Sequence, residues 1–312
     1  MKMMKNSTQV SDFILAAYFD AGVFKYLFFM IVLCAYVFIV GANGFLIVVI
    51  CKTRSLHEPM YLFLVSLFVN ELFGSSWLFP FLMVQILSDV HTISASLCFL
   101  QVFSLYTYGN AELINLTVMS YDRYLAICYP LQYNTRMTFN KVAFLIAVTW
   151  ILPVFVIGLT ISLTASLTLC GNIINKVYCN NYSIIQLACC DTTVNNMFEI
   201  TAASVAVFVS GSVILYTYMR ILRVCFSGCK QSRKKAFSTC IPHLASLLNF
   251  SMGGSFECIS SRFDVSNVPN FLQIILSVHF LIVQPFINPV MYGLNVSKIR
   301  ISCKHHIVLC KR

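Results

Sequence analysis

Asp122 and Arg123 stand side by side in Met119-Ser120-Tyr121-Asp122-Arg123-Tyr124, at the end of a long apolar segment. Charge at a membrane boundary is costly to desolvate, and an adjacent acid and base offset that cost for each other while the arginine keeps the ability to change partners. That is the chemistry of a switch rather than of bond-making. Two further carboxylates, Glu71 and Glu112, lie inside apolar segments. Glu112 precedes Arg123 by 11 residues, about three helical turns, which puts both on one helix face. The plain alternative for the two acids is hydrogen bonding inside a helical bundle without further function.

The elements that position these residues follow from composition. The chain has 312 residues, 59% of them hydrophobic and 10% charged, with a mean hydropathy of +0.81, too apolar for a soluble domain of this length. Seven apolar runs emerge, Tyr26 to Cys51, Met60 to Leu87, Cys98 to Tyr121, Val142 to Ala165, Met197 to Met219, Phe237 to Ile259 and Phe271 to Tyr292. They are continuous rather than alternating, which excludes an outer-membrane barrel and leaves membrane-spanning helices. An all-α, seven-helix membrane bundle is expected, with a tail over residues 1–25, the bundle over 26–292 and a second tail over 293–312. No cleavable leader is evident, so the first span is expected to act as its own insertion signal.

Lys and Arg set the orientation. With the N-terminus outside, the cytoplasmic segments hold Lys52 and Arg54, then Arg123, Arg136 and Lys141, then six cations from Arg220 to Lys235, then five from Lys298 to Arg312, 16 of the 21 in all. This is a positive-inside bias. It also explains the net charge of +10 without a nucleic-acid partner, because the basic residues are spread over separate loops that face anionic lipid. Asn6 and Asn181 head glycosylation sequons that fall outside under this topology, whereas the matches at Asn115, Asn249 and Asn295 fall in spans or the cytoplasm.

Of 14 cysteines, Cys98, Cys170, Cys179, Cys189 and Cys190 fall on the outer side, where disulfides persist. Their pairing does not follow from sequence. Cys98 lies 25 residues before Arg123, about 37 Å along a helix and a full membrane crossing. Cys303 and Cys310 lie in the basic tail, where either palmitoylation or a plain thiol is open.

The segment Met119 to Tyr133 closely resembles the third-helix signature of odorant receptors, a branch of the rhodopsin-like G-protein-coupled receptors. Gly41-Ala42-Asn43-Gly44, Leu56-His57-Glu58-Pro59-Met60-Tyr61 and Pro285-Phe286-Ile287-Asn288-Pro289-Val290-Met291-Tyr292-Gly293 are similar to further motifs of that family. Lys235 to Leu244 matches its sixth-span hallmark except for Pro242, where Ser is usual. The motifs occur in order on the matching spans, so the resemblance covers nearly the whole chain.

The resemblance implies a plasma-membrane receptor with its N-terminus outside and a short cytoplasmic amphipathic helix after span seven. Its partners would be a small-molecule odorant and a heterotrimeric G protein of the Gs/olfactory type, which raises cAMP. It implies disulfides Cys98 to Cys179 and Cys170 to Cys189, with Cys190 extra. It implies a switch built from Asp122, Arg123, Tyr124, Tyr218, His243, Asn288, Pro289 and Tyr292, in which Arg123 pairs with Asp122 and polar groups near Thr239 and His243, then turns toward Tyr218 on activation. Pro289 loosens its helix so that Tyr292 can reorient. Glu71, Glu112 and Asn288 would form a polar core that binds sodium or a proton; no other cofactor is expected.

By the same counting the ligand site takes in Leu105, Tyr106, Gly109 and Asn110 on span three, Glu199 and Ala202 on span five, and Ser251, Ser255, Cys258 and Arg262 on span six. Arg262 would meet an anionic ligand group or, as the plainer reading, Asp264, Glu257 or solvent. Leu105 stands where amine receptors carry an Asp, which argues against an amine. Ser260-Ser261-Arg262-Phe263 resembles the branch that includes fish receptors, where water-soluble ligands are expected. The alternative is a rhodopsin-like receptor for another small molecule or a peptide.

Other classes fit poorly. A retinal photoreceptor needs a lysine within span seven, which Phe271 to Tyr292 lacks. His57-Glu58-Pro59-Met60-Tyr61 lacks the second histidine of a zinc protease, and Gly253-Gly254-Ser255-Phe256-Glu257 lacks the final glycine of a nucleophile elbow. A transporter would show internal repeats or paired broken helices. No enzyme is indicated.

Overall fold

A computed structural model describes residues 10–18, 22–227, 230–262 and 270–310. Seven helices of 26 to 35 residues carry the seven apolar runs: α1 (Phe24–Lys52), α2 (Pro59–Leu87), α3 (Ala95–Cys128), α5 (Phe139–Ala165), α7 (Thr193–Ser227), α8 (Lys230–Arg262) and α9 (Asn270–Asn295). At about 1.5 Å per residue even the shortest is longer than the hydrocarbon core of a bilayer. Most extend past the apolar runs read from sequence, α3 by seven residues beyond Tyr121 and α7 by eight beyond Met219, because backbone hydrogen bonding continues where hydrophobicity stops. Among the described residues four of these helices, α1, α2, α5 and α7, are apolar enough to cross a membrane by composition alone.

Short helices α4 (Tyr133–Arg136), α6 (Asn181–Gln186) and α10 (Ser297–Cys310) complete the helical set. The helix starts have local causes. Pro59 opens α2, where its missing N–H costs nothing, the Ser94 hydroxyl accepts from Leu97 N at 3.4 Å to cap α3, and Asn180 Oδ1 accepts from Ser183 N at 2.9 Å to cap α6.

α3 is the hub, packed against α2, α5, α7 and α8. Half of its residues are buried, whereas α1 and α5 turn Val37, Phe38, Phe144 and Phe155 outward, as lipid-facing helices do. At the Arg123 end the core gathers Leu64, Leu67, Phe68, Met119, Leu125, Ile221, Tyr292 and Ile299. At the Cys98 end it joins Leu78, Phe79, Leu105 and Tyr108 to Val177 and Tyr178 of the loop after α5.

The tail before α1 is not a plain polar segment. β1 (Asp12–Leu15) pairs antiparallel with β2 (Thr92–Ser94), Phe13 opposite Ile93, and parallel with β3 (Ile173–Ile174), Leu15 beside Ile174. Phe13 and Leu15 point into the core while Asp12 and Ile14 point out, the two-residue period of a half-buried strand. The Tyr18 hydroxyl donates to Val177 O at 2.8 Å, and burial raises its proton affinity. Two disulfides, Cys98 to Cys179 and Cys170 to Cys189, staple the loop after α5. Closing 81 residues with the first removes about 4–5 kcal/mol of unfolded-chain entropy in the loop-closure account. Cys190 is an exposed free thiol and Cys303 a partly buried one.

Candidate functional site

Three polar clusters lie along the bundle. The middle one is held by residues from α2, α3, α8 and α9. Glu71, Glu112 and Asn288 are fully buried, and the Asn288 amide donates to Glu71 Oε1 and, at 3.1 Å, to Glu112 Oε1. The Tyr108 hydroxyl donates to Glu71 Oε2 at 3.0 Å, Asn70 donates to Glu112 Oε2 at 3.0 Å, and Gln284 donates to Glu112 Oε1 at 3.2 Å. Gln284 in turn donates to the Ser246 hydroxyl at 2.8 Å and accepts from Asn249 at 2.5 Å.

Gly74 makes this geometry possible, since a Cβ there would fall 2.5 Å from the Tyr108 ring. Two carboxylates in one buried site need a proton or a cation between them. The cluster also leaves Asn70 Oδ1, Asn288 Oδ1 and Ser75 Oγ buried without a hydrogen-bond partner. An all-oxygen set of this kind suits a hard cation such as sodium. Among the described residues no three His, Cys, Asp or Glu side chains gather as a metal-binding group.

At the Arg123 end, both Nε (3.0 Å) and Nη2 of Arg123 donate to Asp122 Oδ2. Tyr133 of α4 donates to the other oxygen, Oδ1, at 2.6 Å, so the carboxylate is held from two sides. Burial, then the Asp122 charge, raises the Tyr133 proton affinity, which keeps it a donor.

His243 is placed differently from the expectation. Its Nε2 lies 2.9 Å from Leu116 O, an acceptor only, so Nε2 carries the hydrogen and Nδ1 accepts from the Tyr218 hydroxyl. His243 therefore ties α8 to α3 and α7 and is not the partner of Arg123. Tyr218 is held by His243, and the Thr217 hydroxyl donates to Ser120 at 3.3 Å. Tyr292 packs edge-on to Phe68, their centroids 6.3 Å apart, beyond Pro289 inside α9. Tyr124 is buried against Tyr129 and Tyr216.

At the Cys98 end, Leu105 is buried under Val177 and Tyr178, and Tyr106, Gly109 and Asn110 are half-buried on the same helix. The Tyr106 hydroxyl accepts from Asn181 N at 3.2 Å, and Asn110 donates to Tyr106 O at 2.9 Å. Arg262 pairs with Glu199 at 3.3 Å and stacks over Tyr182 at 4.7 Å. This corrects the expected partner: Glu257 pairs instead with Lys176 at 3.4 Å, and Asp264 lies outside the described residues. Ala202 is half-buried three residues beyond Glu199.

Two further expectations are corrected. Ser251 and Ser255 are exposed and point away from the face that carries His243, Ser246 and Gly253, because counting along α8 set its phase wrongly. Asn181 is 0% exposed, its amide donating to Glu199 Oε2 at 2.7 Å and its Oδ1 accepting from Thr164 at 2.8 Å. A side chain sealed in this way leaves no room for a glycan. Asn6 and the side chains of Cys258, Thr239 and Cys310 lie outside the described residues.

Sequence reading missed Asn70, Gln284, Ser246 and Asn249 in the middle cluster and Tyr133 at the Arg123 end. The first four share the signal that marked Glu71 and Glu112, a polar residue inside an apolar run; Tyr133 closes the family-like segment that begins at Met119, but nothing in the sequence shows its reach to Asp122.

A family model described as olfactory receptor matches residues 32–311. The human olfactory receptor 11A1 is 32% identical over 303 residues, covering 96% of this chain and 94% of the relative. The mouse olfactory receptors 5P6 and 4B13 are 32% and 30% identical, over 97% and 95% of this chain and 96% of each relative.

Proposed function

The chain belongs to the olfactory receptor family of seven-helix G-protein-coupled receptors, and on that premise we propose that its Cys98 end receives an odorant outside the cell while its Arg123 end activates a G protein inside. It is an odorant-sensing, multi-pass membrane receptor, not an enzyme, with an odorant and a G protein as partners. The plasma membrane, an outward N-terminus, an extracellular tail over residues 1–25 and a cytoplasmic tail over 293–312 complete the reading. The basic loops at the Arg123 end support that orientation, and the G protein would be of the Gs/olfactory type. Surrounding lipid, rather than nucleic acid, would neutralise the basic face.

One observation carries the mechanism. Bonds at three separate levels, between Tyr106 and Asn181, from Tyr108 through Glu71, Asn288 and Glu112 to Gln284, and between Tyr218 and His243, tie together the helices that would shift for Arg123 to be released. A ligand that prefers another arrangement of α3, α7 and α8 would shift an existing equilibrium. Arg123 would then leave Asp122 for Tyr218, freed from His243, and open a crevice for the G-protein α subunit.

The middle cluster would hold a sodium ion through Glu71, Glu112 and the amide oxygens of Asn70 and Asn288, supplying the positive charge that two carboxylates need. The ligand site would lie beneath the loop after α5, bounded by Leu105, Tyr106, Gly109, Asn110, Glu199, Ala202, Cys258 and Arg262. Arg262 is already neutralised by Glu199, so an anionic ligand would have to displace a carboxylate. Asn6 would carry the glycan. Screening the expressed receptor with a cAMP reporter against odorant panels that include acids and amino acids tests the reading; an odorant response without cAMP would overturn the Gs assignment.

A further inference from the structure

Tyrosines and cations gather at the Arg123 end on the outer flank between α3, α5 and α7. The Tyr129 ring carries the Arg136 guanidinium at 4.3 Å, and its hydroxyl is bonded by Tyr124 (3.4 Å) and by Arg220. Lys141 donates to the Tyr121 hydroxyl at 2.9 Å and lies 4.8 Å above that ring. Tyr216, 51% exposed, packs on Tyr124 at 5.8 Å. The positive field is felt by Tyr129, whose proton affinity is lowered by its bond from Tyr124 and then by Arg220.

Carboxylates do not answer this charge. Among the described residues the acids at this end are Glu58 and Asp122, and they hold Lys298 and Arg123. Among the described residues Arg136, Lys141 and Arg220 form no salt bridge. The flank looks into lipid, since Leu215, Met219 and Leu222 beside Tyr216 on α7 are exposed and apolar, while the opposite face with Ile214, Tyr218 and Ile221 is buried. Tyrosine hydroxyls above an apolar wall, with cations at their rim, are suited to the headgroup level of a bilayer.

We propose that Arg136 and Arg220 at Tyr129, with Lys141 at the neighbouring Tyr121, bind the headgroup of an inner-leaflet phospholipid that carries phosphomonoester groups. Two guanidinium groups and an ammonium supply three positive charges, more than a singly charged headgroup needs and enough for a polyphosphorylated inositol lipid. The phosphates would accept from Arg220 and Arg136 while the acyl chains lie along Leu215 and Met219. The proposal rests on the orientation given above only for the choice of leaflet.

Native mass spectrometry of the purified receptor, titrated in micelles with phosphatidylinositol 4,5-bisphosphate against a phosphatidylcholine background, tests it without odorant or G protein. Failure here therefore leaves the receptor reading intact. The R136Q/R220Q variant is expected to bind the lipid about 30-fold more weakly, and K141Q less weakly than that. K298Q/R300Q, equal in charge lost but placed on α10, should bind as the unaltered chain does. An unchanged melting temperature shows that the variants are folded, and K141Q provides a second reading if R136Q/R220Q is not. Equal affinity of R136Q/R220Q and the unaltered chain overturns the proposal. Equal loss in K298Q/R300Q also overturns it, since that is diffuse charge attraction.

Discussion

One amide, that of Asn288 on α9, donates to carboxylates on two other helices, Glu71 of α2 and Glu112 of α3. It is the point where three helices share hydrogen bonds with two buried acids. Replacing it with alanine leaves both carboxylates short of a donor, at a cost of about 1.5–3 kcal/mol. Asn288→Ala should lower the melting temperature of the purified receptor and its delivery to the surface. If sodium lies there, exchanging sodium for choline should raise ligand-independent cAMP in the unaltered chain and leave Glu112→Gln unmoved.

Gly74 tests the same cluster from its wall. A methyl group at this position collides with the Tyr108 ring, so Gly74→Ala should push Tyr108 off Glu71 and cost about 1–3 kcal/mol of overpacking. Thermal unfolding checks the cost. A melt unchanged from the unaltered chain would mean that the ring has room to move.

His243 closes the bundle near the Arg123 end by accepting from Tyr218 and donating to Leu116 O. Phenylalanine at this position keeps much of the volume and removes both bonds, about 1–3 kcal/mol that favours the closed arrangement. His243→Phe is expected to raise basal cAMP several-fold, whereas Tyr218→Phe should lower the evoked response because it also removes the partner Arg123 would meet on opening.

Asn181 separates a sequon from a glycan. The buried amide already serves Glu199 and Thr164, so Asn181→Gln should leave the endoglycosidase-sensitive mobility shift on a gel as it was. It should nevertheless weaken the odorant response, since the loop after α5 loses its tie to α7. Loss of a glycan from this variant contradicts the buried placement.

Much of the architecture was legible because lipid makes hydrophobicity nearly binary: apolar runs became helices, and Glu71, Glu112, Asp122 and Arg123 stood out as costly exceptions. What escaped reading was set by tertiary contacts. Asp12 to Leu15 alternates over only four residues, and its pairing partners lie about 80 and 160 positions away in the chain, so nothing local marks it as a strand. Ser251 and Ser255 needed the rotational phase of α8, which Pro242 inside the helix and its packing decide. Arg262 had acids nearby in sequence but found Glu199, 63 residues away, because α7 and α8 meet at that end. The reach of Tyr133 to Asp122 depended on α4 folding back beneath α3.

Arg123 is where the account is most exposed. Arg123→Ala takes the guanidinium from Asp122, which keeps its bond from Tyr133, and removes the group that would meet Tyr218 in the open bundle. The direct measurement is odorant-evoked cAMP per receptor at the cell surface, with delivery counted by an N-terminal epitope. The account predicts that surface delivery persists and that the evoked signal is lost; a normal concentration–response curve from Arg123→Ala at equal surface density would contradict it.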